Sequence, residues 1–140
     1  MEKKQEGLDE AIQAFKEWLY NFRKVKPSMI ASDQSYLDEI EIIAEKVLDK
    51  TIEIQENGEL KIHLAFPLGK DEQIKNLVFK SRIKAGEVAK AYLKVKPGDG
   101  TGHKNALIAV ASGNLKEIID ELDTADQALL SKLMNYYYLY

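Results

Sequence analysis

The chain contains no cysteine. Thiol nucleophiles, disulfide staples and cysteine-based metal sites are therefore excluded, and the composition is compatible with a reducing cytosol. Histidine is nearly as scarce, with only His63 and His103. Neither stands in a His-x-x-His or His-Glu-x-x-His pattern, so no metal or other cofactor is expected. Nor does one sign of charge dominate. The 20 Lys and Arg against 23 Asp and Glu give a net charge of -3, which leaves no global field to draw nucleic acid to the surface, although a local patch remains open. Long hydrophobic runs are also missing. The opening MEKKQEGLDE lacks the apolar stretch of a signal peptide, and no later segment approaches the roughly 20 apolar residues of a membrane span. The expectation is an intracellular, soluble protein without a membrane partner.

What is present describes a folded domain. Hydrophobic residues make up 45% and charged residues 31% of the chain, a balance unlike that of a disordered tail. Its 140 residues can bury about two-thirds of their unfolded surface, enough for one core without a metal or a disulfide.

Leu8, Ile12, Phe15, Leu19 and Phe22 recur at three- and four-residue spacings, with Ala11 and Trp18 widening the stripe. This predicts an amphipathic helix ending near Pro27. A second helix is expected from about Ser35, with Ser35 as its cap, Asp38 in the acidic first turn and Leu37, Ile40, Ile43, Ala44 and Val47 as its buried stripe. The period then changes. Ile52 and Ile54 share one face, Asn57-Gly58 signals a hairpin, and Leu60, Ile62, Leu64 and Phe66 alternate with Lys61 and His63, the pattern of a strand with one buried and one wet face. Gly69 to Gln73 should connect to a third strand through Leu77, Val78, Phe79 and Ser81. A helix containing Val88, Ala89, Tyr92 and Leu93 should follow, broken by Lys96-Pro97-Gly98-Asp99-Gly100-Thr101-Gly102. Short helices are expected through Ala106 to Val110, ending near Gly113, and after an Asn114 cap through Leu115, Ile118 and Ile119. Asp123 should cap the last helix, with Asp126 at its third position. The fold class read from this order is α+β: N-terminal helices, a small three-stranded antiparallel sheet and a C-terminal helical group.

Several residue groups resemble sites, and each has a plainer reading. Gly98, Gly100 and Gly102 match neither a dinucleotide fingerprint nor a P-loop. Lys104 could meet an anion at the following helix N-terminus, but a flexible connection suffices. Asp120, Glu121, Asp123 and Asp126 could pair carboxylates for acid and base work, yet helix capping accounts for Asp123 and Asp126. A small hydrolase built on His103 and nearby acids is the most distant reading. Ser28, Ser32, Ser35, Ser81, Ser112 and Ser131 lack a nucleophile-elbow context. Lys75, Lys80, Arg82 and Lys84 form a basic ridge along the third strand that could contact phosphates in a small nucleic-acid-binding module. A charged edge that discourages unwanted strand pairing explains the same residues and leads. The tail is the more unusual segment: Tyr136, Tyr137, Tyr138 and Tyr140 are four of seven tyrosines. Tyrosine covers apolar area while its hydroxyl stays hydrogen-bonded, which suits an interface or a core.

Phe66-Pro67-Leu68-Gly69, the following LVFKSRIKAGEV and the later ELDTADQALLSKL resemble the phage tail assembly chaperone family of Mu-like and P2-like contractile-tailed phages. Pro67, Leu68, Leu77, Phe79, Lys80, Arg82, Gly86 and Val88 carry the first match, and Leu122, Asp123, Ala125 and Asp126 the second. Pro67, Gly69, Gly86, Asp123 and Asp126 are its structural positions. The likeness runs from Leu60 to Leu133, so residues 1–50 are expected as a helical extension on a tail-chaperone-like domain of residues 51–140, the two forming one unit. Glu87, where that family often has aspartate, and the tyrosine tail depart from the pattern.

The resemblance implies a non-enzymatic assembly factor in the cytoplasm of a bacterial host, absent from the finished virion. It would bind the phage tape-measure protein, and in some cases tail-tube protein or a second copy of itself. Its action would be reversible cover of apolar helical segments, with Leu129, Leu133, Tyr136, Tyr137, Tyr138 and Tyr140 as the expected binding surface.

Overall fold

In a computed structural model, residues 2–138 are described. Helix α1 spans Glu2–Phe22, a short helix α2 Pro27–Ala31, and α3 Gln34–Leu48. Strands β1 (Ile52–Ile54), β2 (Leu60–Leu68) and β3 (Ile74–Phe79) form an antiparallel meander in that order. Helices α4 (Ala85–Tyr92), α5 (Gly100–Ser112), α6 (Lys116–Ile119) and α7 (Thr124–Met134) follow, and a turn of 3₁₀ helix covers Asn135–Tyr138. The architecture is the α+β arrangement of N-terminal helices, three-stranded sheet and C-terminal helical cluster. No described helix is long and apolar enough to cross a membrane.

The expected stripes pack as their spacing dictates, with an exception on β2. Phe66, expected on the buried face of that strand with Leu60, Ile62 and Leu64, is 55% exposed, because the β2–β3 register is irregular between His63 and Leu68 and the alternation does not carry through. Phe15, Trp18 and Leu19 of α1, Ile40 and Ile43 of α3, Leu60 and Ile62 of β2, Leu77 and Phe79 of β3, and Leu107 and Ile108 of α5 share one buried cluster. The N-terminal helices therefore belong to the same core as the sheet. Trp18 Nε1 donates 2.7 Å to the carbonyl of Gly58 at the β1–β2 turn, which pins α1 to the hairpin. Gly58 has φ +88°, and a Cβ there would lie 2.3 Å from the Phe22 ring. Both the backbone conformation and the close approach require glycine.

Local differences have local causes. Pro27 opens α2 rather than only closing α1, because its fixed φ and missing N–H suit a first helical turn. Asp33, not Ser35, caps α3: its carboxylate accepts 2.9 Å from the Ser35 N–H and 2.6 Å from the Ser35 hydroxyl, bonds that hold its pKa below the ordinary value. The GDGTG run does not stay a loop. Asp99 caps α5 by accepting from Gly102 N–H at 2.9 Å, so Gly100 and Gly102 enter the first helical turn and His103 is helical. The N-cap position of α6 is Leu115, without a side-chain cap, rather than Asn114. Ser81 lies beyond β3.

Gly69 follows β2 at φ +86° and leads into a 3₁₀ turn over Lys70–Glu72, as a tight connection requires. Pro67 falls where β2 lacks regular pairing. The β1 ladder ends at Ile62, and the β2–β3 register is irregular between His63 and Leu68, so the missing proline N–H breaks no ladder bond. Gly86 sits in the first turn of α4 with open space around it.

Candidate partner-binding surface

The C-terminal tyrosines are placed inside. Tyr136 is 0% exposed, and its ring lies 5.3 Å from Phe15 and 6.2 Å from Tyr36. Tyr137 is also buried, 5.9 Å from Trp18. Their hydroxyls donate to the carbonyls of Tyr36 at 3.1 Å and Lys80 at 2.6 Å. Burial pushes both phenols well above the ordinary tyrosine value. Leu133 is buried and Leu129 half-buried. Leu133, Tyr136 and Tyr137 are thus spent on the core and do not form the exposed surface expected of them. Tyr138 is described in its backbone only. Tyr140 lies outside the described residues. The sequence missed this because α1 supplies the facing aromatics from more than a hundred positions away.

The acidic group is dispersed into separate tasks. Asp123 caps α7 through Ala125 N–H at 2.9 Å. Asp126 is buried, and its two oxygens accept from the β2 amides of Ala65 at 2.9 Å and Phe66 at 3.0 Å. These donors fall where the strand ladder is irregular. The carboxylate replaces the missing strand and ties α7 to the sheet. Asp120 accepts from Lys116 and from Asn105; burial works upward on its pKa, but those two donors outweigh it and hold the value low.

The histidines are separately engaged. His103 Nδ1–H donates 2.7 Å to the Asp99 carbonyl, and its ring packs edge-on to Tyr92. His63 Nε2–H donates 2.8 Å to Glu53, whose pKa is lowered by that bond. Among the described residues no group of three or more His, Asp or Glu is placed to hold a metal.

The basic ridge is divided between two hollows at its centre. Lys75 is exposed on β3, and Lys84 occupies the N-cap position of α4. Lys80 lines a groove of about 500 Å³ with Lys94 and Lys116, whereas Arg82 lines another hollow with Arg23 and Lys24.

The groove that holds Lys80 combines small apolar side chains with an exposed leucine. Its floor is built by Ala91 of α4 and Ala106, Ala109 and Val110 of α5. On α5 the spacing of three and four residues puts these side chains on one face. Small side chains leave room for a second helix to approach. Leu115 stands at its edge, 68% exposed, and Glu87, Glu117 and the three lysines supply a mixed-charge rim. Leu93, 86% exposed, follows α4 two positions after Ala91, which turns it toward the opposite side of that helix. Leu115 was legible in the sequence only as part of a helix stripe; its exposure follows from its place before α6, where the chain has left α5.

Comparison with protein-family models, curated proteins and solved structures gave no match.

Proposed function

We propose that this chain is a non-enzymatic protein-binding factor that covers an apolar helical segment of its partner in the α4–α5–α6 groove. The Leu60 to Leu133 resemblance extends this reading to a phage tail assembly chaperone whose client is the tape-measure protein, with tail-tube protein as a further client. The observation that carries it is Leu115, a large apolar side chain left 68% exposed at the edge of an alanine-floored groove. An amphipathic helix laid there would bury Leu115 and the alanine floor together, and the mixed rim could pair with charges of either sign beside the helix's apolar stripe.

Co-expression with the tape-measure protein of the same phage genome, followed by pull-down and light scattering, tests the proposal. A soluble complex and suppressed client aggregation are expected. Client aggregation unchanged by an excess of this chain would overturn it. The nucleic-acid reading has less support, because Lys80 and Arg82, its central cations, line different hollows.

A further inference from the structure

Arg23, Lys24 and Arg82 converge on a cleft of about 440 Å³ whose remaining lining is Asn21, Phe22 and Ile83. None of these described lining residues is acidic. Among the described residues, three cations are thus gathered in this lining without a carboxylate, an arrangement that an incoming anion would stabilise.

The geometry of each cation is set by a different element. Arg23 follows α1 and is held on the Tyr137 ring, its guanidinium 4.7 Å from the ring centroid. It donates to the carbonyls of Ser81, at 2.8 Å, and Tyr137, while its Nε–H is buried without an acceptor. Burial lowers its pKa, Tyr137 acts in the opposite direction, and Arg82 lowers it further, so the charge is maintained in a setting that opposes it. Lys24 has φ +56°, and the next N–H, that of Val25, donates to Leu19 at 3.1 Å. This is the left-handed helix end that glycine usually supplies. Here lysine occupies it and adds an ammonium to the cleft. The negative end of the α1 dipole accounts for Arg23 and Lys24. It does not account for Arg82, which the segment between β3 and α4 brings alongside them.

We propose that this cleft binds a small phosphate monoester carrying an apolar or aromatic body. Three cations suit a phosphate dianion better than a single carboxylate, and an exposed arginine offers a fork that matches its oxygens. Phe22 and Ile83 provide apolar wall for the organic body. The site is separate from the helix groove and stands whether or not the protein-binding reading holds.

The test is calorimetric titration of the full chain at constant ionic strength with phenyl phosphate, inorganic phosphate and benzoate. Saturable binding is expected in the order phenyl phosphate, inorganic phosphate, benzoate, with benzoate at least about tenfold weaker than phenyl phosphate. Lys24→Gln combined with Arg82→Gln should reduce phenyl phosphate affinity by about tenfold or more. Lys75→Gln combined with Lys84→Gln removes the same charge elsewhere and should change it by less than about twofold. Arg82→Gln alone, at an exposed position, supplies a folded variant in which a reduced affinity is again expected. No saturable phosphate binding, equal loss in the two double variants, benzoate binding as tightly as phenyl phosphate, or unchanged affinity in Arg82→Gln would each overturn the proposal. So would a single-stranded oligonucleotide that displaces phenyl phosphate at equal phosphate concentration, because it would assign the cleft to nucleic acid.

Discussion

Asp126 joins two elements with one carboxylate. It lies in the first turn of α7, where a negative charge is favoured, and both oxygens are bonded to β2 amides. Its position was readable as a helix start; its partners were not, since they lie some sixty residues back in a strand whose irregularity has no sequence mark except Pro67 nearby. Asp126→Ala should lower unfolding free energy in urea by about 1–3 kcal/mol, because two donors lose their acceptor. The tyrosines add a pH effect at the same scale. Tyr136 and Tyr137 have folded pKa values raised above the ordinary 10.0. Their contribution is fully present below about pH 10 and is lost as pH rises beyond it, since the unfolded chain then releases protons that the folded chain retains. Urea midpoints measured across that range should fall. Replacing both residues by phenylalanine should flatten the fall while lowering stability at neutral pH, by about 0.5–1.5 kcal/mol for each lost hydroxyl bond.

At the level of elements, α1 is locked to the β1–β2 turn by Trp18 and by the fit of Phe22 over Gly58. Gly58→Ala should cost about 1–3 kcal/mol through overpacking alone, with further strain from the positive φ. Chemical denaturation checks this, and an unchanged midpoint would contradict both the close fit of Phe22 and the strain at φ +88°. Asn57-Gly58 was legible as a turn because its chemistry is local. Strand alternation in Leu60, Ile62 and Leu64 was legible for the same reason. The start of α5 was not: three glycines and a proline signal a break, but Asp99 reaches Gly102 and restarts the helix within that run. Caps decide such boundaries, and a cap depends on which nearby side chain wins the free amides.

At the scale of the molecule, the two ends of the chain are folded together. Phe15 and Trp18 near the start meet Tyr136 and Tyr137 near the finish, which spends the most interface-like residues of the sequence on the interior. Amphipathic spacing identified α1 as half-buried, but no local pattern says which other element covers its stripe. Exposed apolar side chains are left instead at positions such as Leu93, Phe66 and Leu115, of which Leu115 stands beside the alanine-floored groove. The most direct measurement is the amount of tape-measure protein recovered with equal amounts of the wild-type chain, the groove variant Ala91→Glu with Leu115→Asp, and Leu129→Asp, each first shown to unfold cooperatively. The account predicts recovery by the wild type and by Leu129→Asp, and a loss of about tenfold or more in the groove variant. Full recovery by the groove variant, or none by the wild type, would contradict it.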